Sequence, residues 1–224
     1  MTRYDVSQPV ADGQSGYPDD PPVSVSEHAS MDADGYRATT LSMSAHAGTH
    51  VDVPAHTEPG GRTVDAYRVD EFRFDAVRLD VTGRAPREPI ERADLREAAA
   101  ANDPEETFAA DVVVLWTGWP EYRGTDWYRD HPFLTAGAAG WLADNGYHVA
   151  VDALSVDPTP SPNARPDEPD GVPAHHELLG RGRFVVENLA NLADVPATFT
   201  LEAYPLAVEG AEAAPARAVA VVEE

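Results

Sequence analysis

The chain of 224 residues contains no cysteine and no lysine, and both absences limit what it can do. Without cysteine, disulfide bonds and thiolate-bound metals are excluded, so any metal must be held by histidine and carboxylate side chains. All 16 basic residues are arginine, and they face 39 Asp and Glu residues, which gives a net charge of −23. Such a charge repels nucleic acid and anionic membranes, and we expect neither as a partner.

Long apolar runs are also missing. The most apolar segments, such as VVVLW at 112–116, are far too short to cross a bilayer. The first thirty residues are polar and proline-rich, and they do not show the basic and apolar regions of a signal peptide. We therefore expect a soluble, cytoplasmic protein, with residues 1–224 forming a single domain that is long enough to bury a core.

The acidic residues are spread along the chain instead of forming a tail, which argues against a disordered acidic arm. We interpret them as a halophilic surface, adapted to molar salt, where the screening length falls to about 3 Å and self-repulsion largely disappears. An ordinary acidic enzyme is the alternative.

The pattern of apolar residues predicts an α/β fold. Runs rich in β-branched residues predict strands at 38–44, 76–81, 111–116, 148–153, 183–187, 197–204 and 217–222. Helices are predicted at 90–101, closed by Asn102-Asp103-Pro104, and at 135–146, between a Thr135 cap and an Asn145-Gly146 stop. Residues 9–22 and the six-proline segment 157–173 are predicted loops, and a loop as long as the second is often functional.

Residues 44–56 hold an unusual group of side chains: His46, His50, Asp52 and His56. Gly48 and Pro54 argue against a helix. In a straight strand His46 and Asp52 would lie roughly 20 Å apart, too far for one ion with bonds near 2 Å. A turn at Gly48 brings the ligands together, so we predict a bent metal-binding loop after the strand at 38–44. The alternative is that the histidines only form hydrogen bonds in the core.

The same stretch, HAGTHVDVPAH (46–56), resembles the H-x-G-T-H-x-D-x-P-x-H motif of the cyclase family, whose members include bacterial kynurenine formamidase and isatin hydrolase. The resemblance continues through further segments of the chain: 4–23, 115–119, 149–158, 174–192 and 203–221. It implies the swivelling β/β/α domain of that family, an α/β fold with a mixed sheet and flanking helices. It also implies a homodimer or a higher homo-oligomer.

The resemblance implies a ligand set. His46, His50 and Asp52 match the ligands of a first metal, and Asp52 matches a bridge to a second. A histidine and a glutamate twelve residues apart complete the family's set, which points to His175 and Glu187 and away from the neighbouring His176. Zn²⁺, with up to two ions per subunit, is the expected cofactor, and Mn²⁺ is the alternative. For Glu187 the competing interpretation is a salt bridge to Arg181 or Arg183.

Two further roles follow from the resemblance. His56 matches the proton-transfer residue, which suits an imidazole near neutral pH. Tyr17, before Pro18, matches an aromatic residue that packs on the substrate ring, although the family's tryptophan and following glycine are replaced here by Tyr17 and Asp19. We assign Trp116, Trp119 and Trp127 to the core, with a place in the wall of the pocket as the alternative. The histidines at 28, 131 and 148 are assigned to structure or surface.

These features together predict a metal-dependent amidohydrolase that cleaves an aryl formamide, N-formylkynurenine to kynurenine and formate, in tryptophan catabolism. A hydrolase of cyclic amides like isatin, or of lactones, is the alternative on the same site. Two histidines and a carboxylate also suit a non-heme iron oxygenase, but the additional pair His175 and Glu187 favours the hydrolase. A non-catalytic binding protein is disfavoured because every ligand position is kept.

Overall fold

The structure is a computed structural model that describes residues 1–102 and 109–223. In this part of the chain the strands are β1 (Thr2–Asp5), β2 (Ser24–Ala29), β3 (Ala38–Ser42), β4 (His50–Asp52), β5 (Arg73–Asp80), β6 (Pro89–Ile90), β7 (Val112–Trp116), β8 (Phe133–Leu134), β9 (His148–Val151), β10 (Val185–Glu187), β11 (Thr198–Pro205) and β12 (Ala213–Val222). The α-helices are α1 (Met31–Asp34), α2 (Arg92–Asn102), α3 (Ala136–Asp144) and α4 (Pro173–Leu179). Short 3-10 helices occupy Pro54–His56, Val64–Ala66, Val69–Phe72, Trp119–Tyr122, Asp126–Asp130 and Leu192–Asp194.

Eight strands form one mixed sheet in the order β1-β12-β11-β5-β7-β9-β10-β4. Neighbours from β5 to β10 are parallel, and the other pairs are antiparallel. Strand β4 also pairs with β12, so seven strands close into a ring and β1 lies outside it. The predicted α/β fold with a mixed sheet is confirmed.

Side chains alternate between the two faces of these strands, and each face has its own apolar cluster. One cluster draws residues such as Val51, Val186 and Ala214 from all seven strands of the ring, and it therefore fills the inside. On the other face Leu79 and Leu115 pack against apolar residues of α2, α3 and α4: Leu95, Leu142 and Leu178. Each fully buried leucine contributes about 1.5–3 kcal/mol to stability.

All seven predicted strands are present, with ends that shift by a few residues. The largest shift is in β12, which begins at Ala213 instead of residue 217. Helix α3 has the predicted cap, since the Thr135 side chain accepts a hydrogen bond from the Ala138 amide, and it stops at Asn145. Helix α2 is present, but Asp103 and Pro104 of its predicted closing sequence lie outside the described residues.

Both predicted loops, 9–22 and 157–173, are free of strands, and α4 begins at Pro173. The proline-rich loop is tied down by the buried Arg87, whose guanidinium donates to Glu168 Oε1 at 2.7 Å and to the Thr159 carbonyl at 3.0 Å. None of the helices in the described ranges is long and apolar enough to span a membrane.

Candidate metal centre

Strand β4 places two of the predicted ligands side by side. His50 and Asp52 point to the same face of the strand, while Val51 points into the ring. In the antiparallel pairing with β10, His50 lies directly opposite Glu187, so three polar side chains gather at one place. All three are buried.

The predicted turn before β4 is present, but the prediction that the whole segment is a loop was wrong. Gly48 adopts a positive φ of 69°, a left-handed conformation that glycine adopts easily. This turn brings the His46 ring within 5.1 Å of the His50 ring, centroid to centroid, and His46 Nδ1 within 2.9 Å of Asp52 Oδ1. His50 and Asp52 themselves lie on a strand, because their backbone pairs with β10 and β12.

Helix α4 and strand β10 bring in the second predicted pair. His175 Nε2 lies 3.4 Å from Asp52 Oδ2 and 3.3 Å from Glu187 Oε1. Glu187 Oε2 lies 3.4 Å from His50 Nε2, and Glu187 Oε1 accepts a hydrogen bond from the Val156 amide. The alternative of a salt bridge from Glu187 to Arg181 is not favoured, because Arg181 pairs with Asp144 and Glu177.

His56 closes the other side of the group. Pro54 begins the short 3-10 helix Pro54–His56, which turns the chain back towards β4. The ring of His56 lies 4.4 Å from that of His46 and 5.5 Å from that of His175, between centroids. All six predicted catalytic and metal-binding side chains therefore meet at one place.

The described residues form two groups whose atoms lie close enough to share an ion. Ligand atoms of His46, Asp52 and His56 lie within 4.8 Å of one another, and so do those of His50, Asp52 and Glu187. Both groups contain Asp52, which suits a carboxylate shared between two ions. His56 is also near enough to bind, so its distance alone does not separate a ligand from a proton-transfer group.

The polar atoms of this cluster fit a divalent cation. His50 Nε2 and both carboxylate oxygens of Asp52 are buried, and among the described residues they have no hydrogen-bond partner. Unpaired buried polar atoms are costly, and Asp52 and Glu187 together supply two negative charges. Imidazole nitrogens and carboxylate oxygens are the donors that zinc and manganese accept.

Without a cation, protonated histidines balance the charges of the buried carboxylates in this cluster. Burial opposes protonation of His50, but Asp52 and Glu187 outweigh it and raise the pKa of His50 to about 10. Burial likewise opposes the charge on His175, yet Glu187 and Asp157 raise its pKa. The pKa of Glu187 falls to about 2 because His175 and His50 overcome its burial. A divalent cation can replace these protons, since metal ligands must be deprotonated.

His56 differs from the other histidines in its charge. Burial lowers the pKa of His56, and the nearby His46 and His175 lower it further against the opposing pull of Asp52. In contrast, the pKa of His46 is raised, because its close contact with Asp52 and the charge of Asp52 outweigh burial. His56 is thus a neutral imidazole near pH 7, able to accept a proton.

Two ligand-orienting contacts were missed by the sequence analysis. The Gly48 carbonyl accepts a hydrogen bond from His50 Nδ1 at 2.9 Å, which leaves His50 Nε2 for the metal. Asp157 accepts from His175 Nδ1 at 2.7 Å and from the amides of Ala174 and His175. Asp157 lies in the segment 149–158 that carried the family resemblance, and that position was the one available signal.

Tyr17 is half-buried beside the cluster. Burial raises the pKa of its hydroxyl, and the charges of Glu187 and Asp157 raise it further. The tryptophans lie elsewhere: Trp119 is in the core, Trp116 lies under the Arg78 guanidinium and Trp127 is exposed. The remaining histidines make structural contacts or lie at the surface: His131 with Thr159, His148 with the Phe184 amide, and His28.

Comparison with known proteins agrees with this geometry. The family model described as "Putative cyclase" matches residues 4–158. The kynurenine formamidase of Salinibacter ruber (strain DSM 13855 / M31) is 30% identical over 222 residues, covering 98% of this chain and 97% of the relative. That of Bacillus cereus (strain ATCC 14579) is 30% identical over 221 residues, covering 96% and 95%.

Solved structures share the fold. Isatin hydrolase A from Ralstonia solanacearum superposes with a TM-score of 0.83 at 22% identity, covering 99% of this chain and 92% of that one. A structure described as a potential metal-dependent hydrolase with cyclase activity gives a TM-score of 0.77 at 26% identity, covering 100% and 98%. The family match, extending over most of the sequence, and the full-length relatives show that this chain belongs to the cyclase family.

Proposed function

We propose that this protein is a metal-dependent hydrolase of aryl formamides that converts N-formylkynurenine to kynurenine and formate in tryptophan catabolism. One observation carries the proposal: the side chains of four histidines and Glu187 gather around the buried carboxylate of Asp52. The relatives named kynurenine formamidase, 30% identical over nearly the whole chain, favour an aryl formamide as the substrate.

The proposed ligands are His46, His50, Asp52, His175 and Glu187. Two ions would fit this set, because His46 Nδ1 and His50 Nε2 lie beside Asp52 Oδ1. His175 Nε2 lies beside Asp52 Oδ2 and Glu187 Oε1, which would hold the second ion. Zinc suits the mixture of imidazole and carboxylate donors, and manganese is the alternative.

A bound divalent cation supplies a polarised amide carbonyl and a water molecule of lowered pKa. The residues of the chain then handle the proton. His56 takes a proton from the attacking water and gives it to the leaving nitrogen, so that the amine departs neutral. Because the pKa of His56 is lowered in this cluster, its ring is neutral near pH 7 and can accept that proton.

Orientation of the ligands comes from their own hydrogen bonds. The Gly48 carbonyl fixes His50 and the Asp157 carboxylate fixes His175, each through Nδ1, so that Nε2 points into the cluster. The pKa of Tyr17 responds to the charges of Glu187 and Asp157, and we assign its ring to packing against the aromatic ring of the substrate.

A second candidate function is the opening of a cyclic amide such as isatin. It is favoured by the fold shared with the isatin hydrolases, although likeness at 22% identity concerns the fold alone. The ligand set argues against a non-heme iron oxygenase, because a facial triad uses two histidines and one carboxylate and leaves the rest open. A non-catalytic binding protein would need no proton-transfer residue, so the presence of His56 argues against that function.

The test is to purify the protein without chelators, measure its metal content and assay N-formylkynurenine and isatin in parallel. We expect one to two zinc or manganese ions per chain and turnover of N-formylkynurenine that disappears on treatment with a chelator and returns with the metal. Turnover of isatin alone would favour the cyclic-amide reaction. Turnover of neither substrate by the loaded protein would refute the proposal.

We also propose that the protein is a homodimer. Strands β2 and β3 pair with each other in a sheet of their own, and a two-stranded hairpin is marginally stable alone. Exposed apolar side chains lie on or beside this hairpin: Met31, Tyr36 and Leu41. A second copy packed on the hairpin would cover them. Light scattering should give a dimer for the wild type and a shift towards monomer for Leu41→Ser, and a monomeric wild type would contradict this assembly.

A further inference from the structure

A cavity of about 600 Å³ lies next to the metal centre, between the N-terminal loop and the segment 123–129. Its volume is typical of small-molecule sites. Three separate segments join it to the proposed ligands and Tyr17. The carbonyl of Gly48 binds His50, Asn188 directly follows Glu187, and Gly16 directly precedes Tyr17.

The charged residues of this wall are balanced, in contrast to the chain as a whole. Arg123 and Arg129 contribute two positive charges, and Asp12 and Asp126 contribute two negative charges. The full chain has 39 acidic and 16 basic residues. A wall with equal numbers of both signs suits a ligand that carries both signs, as a free α-amino acid does.

The two arginines differ in what they already bind. Arg123 Nη2 donates to Gln14 Oε1 at 2.8 Å and also to the Pro9 carbonyl, so Arg123 holds the N-terminal loop in place. Arg129 is half-buried, and no residue in the described ranges forms a hydrogen bond or an ion pair with its guanidinium. A guanidinium that faces a cavity without a protein partner is available to a ligand, and guanidinium binds carboxylates in a bidentate manner.

We propose that this cavity binds the charged tail of an aromatic α-amino acid substrate, with the Arg129 guanidinium pairing with the α-carboxylate. Asp12 and Asp126 balance the charge of the α-ammonium group. The inference rests on the proposed function and deepens it, because it selects a formamide that bears an amino acid over an uncharged ring such as isatin. Arg129 is then a specificity-determining residue that takes no part in the proton transfer.

The test compares N-formylkynurenine with formanilide, an aryl formamide that has no amino acid tail. Arg129→Gln should raise KM for N-formylkynurenine about 10- to 100-fold, the range for a lost hydrogen-bonded ion pair, while kcat changes less than about twofold. The kcat/KM for formanilide should stay the same. Arg129→Lys should recover part of the loss, since it restores the positive charge without the planar guanidinium that binds both carboxylate oxygens.

A second comparison changes the substrate instead of the protein. The α-methyl ester of N-formylkynurenine lacks the carboxylate charge, so wild-type protein should show a KM raised by a similar factor, and Arg129→Gln should treat ester and acid alike. Arg183→Gln is the matched control. Arg183 is also half-buried, with an Nε that lacks a partner among the described residues, but it lines a different cavity.

The outcomes separate the two proposals. Turnover of both formamides with equal effects of Arg129→Gln on them would overturn the tail site and leave the proposed function standing. If Arg129→Gln does not fold, the wild type alone decides. A KM for the methyl ester equal to that for N-formylkynurenine would then overturn the tail site. Absence of turnover of either formamide by the metal-loaded wild type would overturn both proposals.

Discussion

Replacing His56 by alanine should reduce turnover of an aryl formamide by about 10²- to 10⁴-fold while the metal stays bound. That range corresponds to about 3–5 kcal/mol in the activation barrier. We expect the full loss because no neighbouring imidazole is free to substitute. His46 is engaged by Asp52 and Glu212, and His175 is held by Asp157 through Nδ1 with its Nε2 beside Asp52 and Glu187.

The pH dependence gives a second, independent signature. Burial and the nearby histidines lower the pKa of His56 below its usual value of 6.5. The neutral form, which accepts a proton, therefore predominates already at a pH below 6.5. A cation bound nearby shifts this pKa in the same direction. In the wild type, kcat/KM should therefore rise with pH along an acidic limb below pH 6.5, and His56→Ala should lose that limb.

The assay follows formamide cleavage by absorbance, together with metal content and circular dichroism of the same preparations. His56→Gln serves as a control that fills the space of the ring without its basicity. A variant that purifies without metal would show that His56 is a ligand, as its place beside His46 and Asp52 permits. A variant with normal turnover would show that another group moves the proton.

Four further perturbations test other parts of the reasoning. His175→Ala should leave at most one metal ion per chain, because the second ion loses a ligand, and unchanged occupancy would refute its assignment. Asp157→Asn should weaken metal binding by about 10- to 100-fold without unfolding the protein, since Asp157 orients His175. Titration with a competing chelator measures the affinity, and an unchanged affinity would contradict this role. The melting temperature should rise steeply with potassium chloride towards molar concentrations if the charge of −23 is a salt adaptation, and a flat profile would remove that interpretation. Leu201→Ala should cost about 2–5 kcal/mol of unfolding free energy in urea, because Leu201 is fully buried inside the ring, and a cost below about 1 kcal/mol would contradict the packing described.

Much of the fold was predictable because the central strands are buried on both faces. VVVLW in β7 and residues 149–151 of β9 are apolar without interruption, which is the sequence pattern of parallel strands covered on both sides. The hairpin of β2 and β3 was harder, and only β3 was predicted. Most residues of β2 are exposed, so SVSEHA lacks the alternation that a core imposes. Strand β4 has three residues, and its pairing depends on β10 and β12, far away in the sequence.

The candidate site divides in a similar way. The spacing around Gly48 predicted that His46, His50 and Asp52 converge, and the structure brings them together. The partners His175 and Glu187 followed only from the family resemblance, because more than a hundred residues separate them from the motif. Asp157 lies in a segment of the family resemblance that assigned it no role, and Arg129 carries no local pattern at all. Their neighbours are set by the packing of distant segments, which no short window of sequence contains.

The closure of the ring by β4 has a consequence for metal binding. His50 and Asp52 lie on the strand that joins β10 to β12, so their final positions require that residues 213–215 pair with β4. A slip of one residue in either pairing would turn Val51 outward and both ligands inward. Tight metal binding should therefore report that the ring has closed in the correct register. A chain truncated before β12 should bind the metal only weakly.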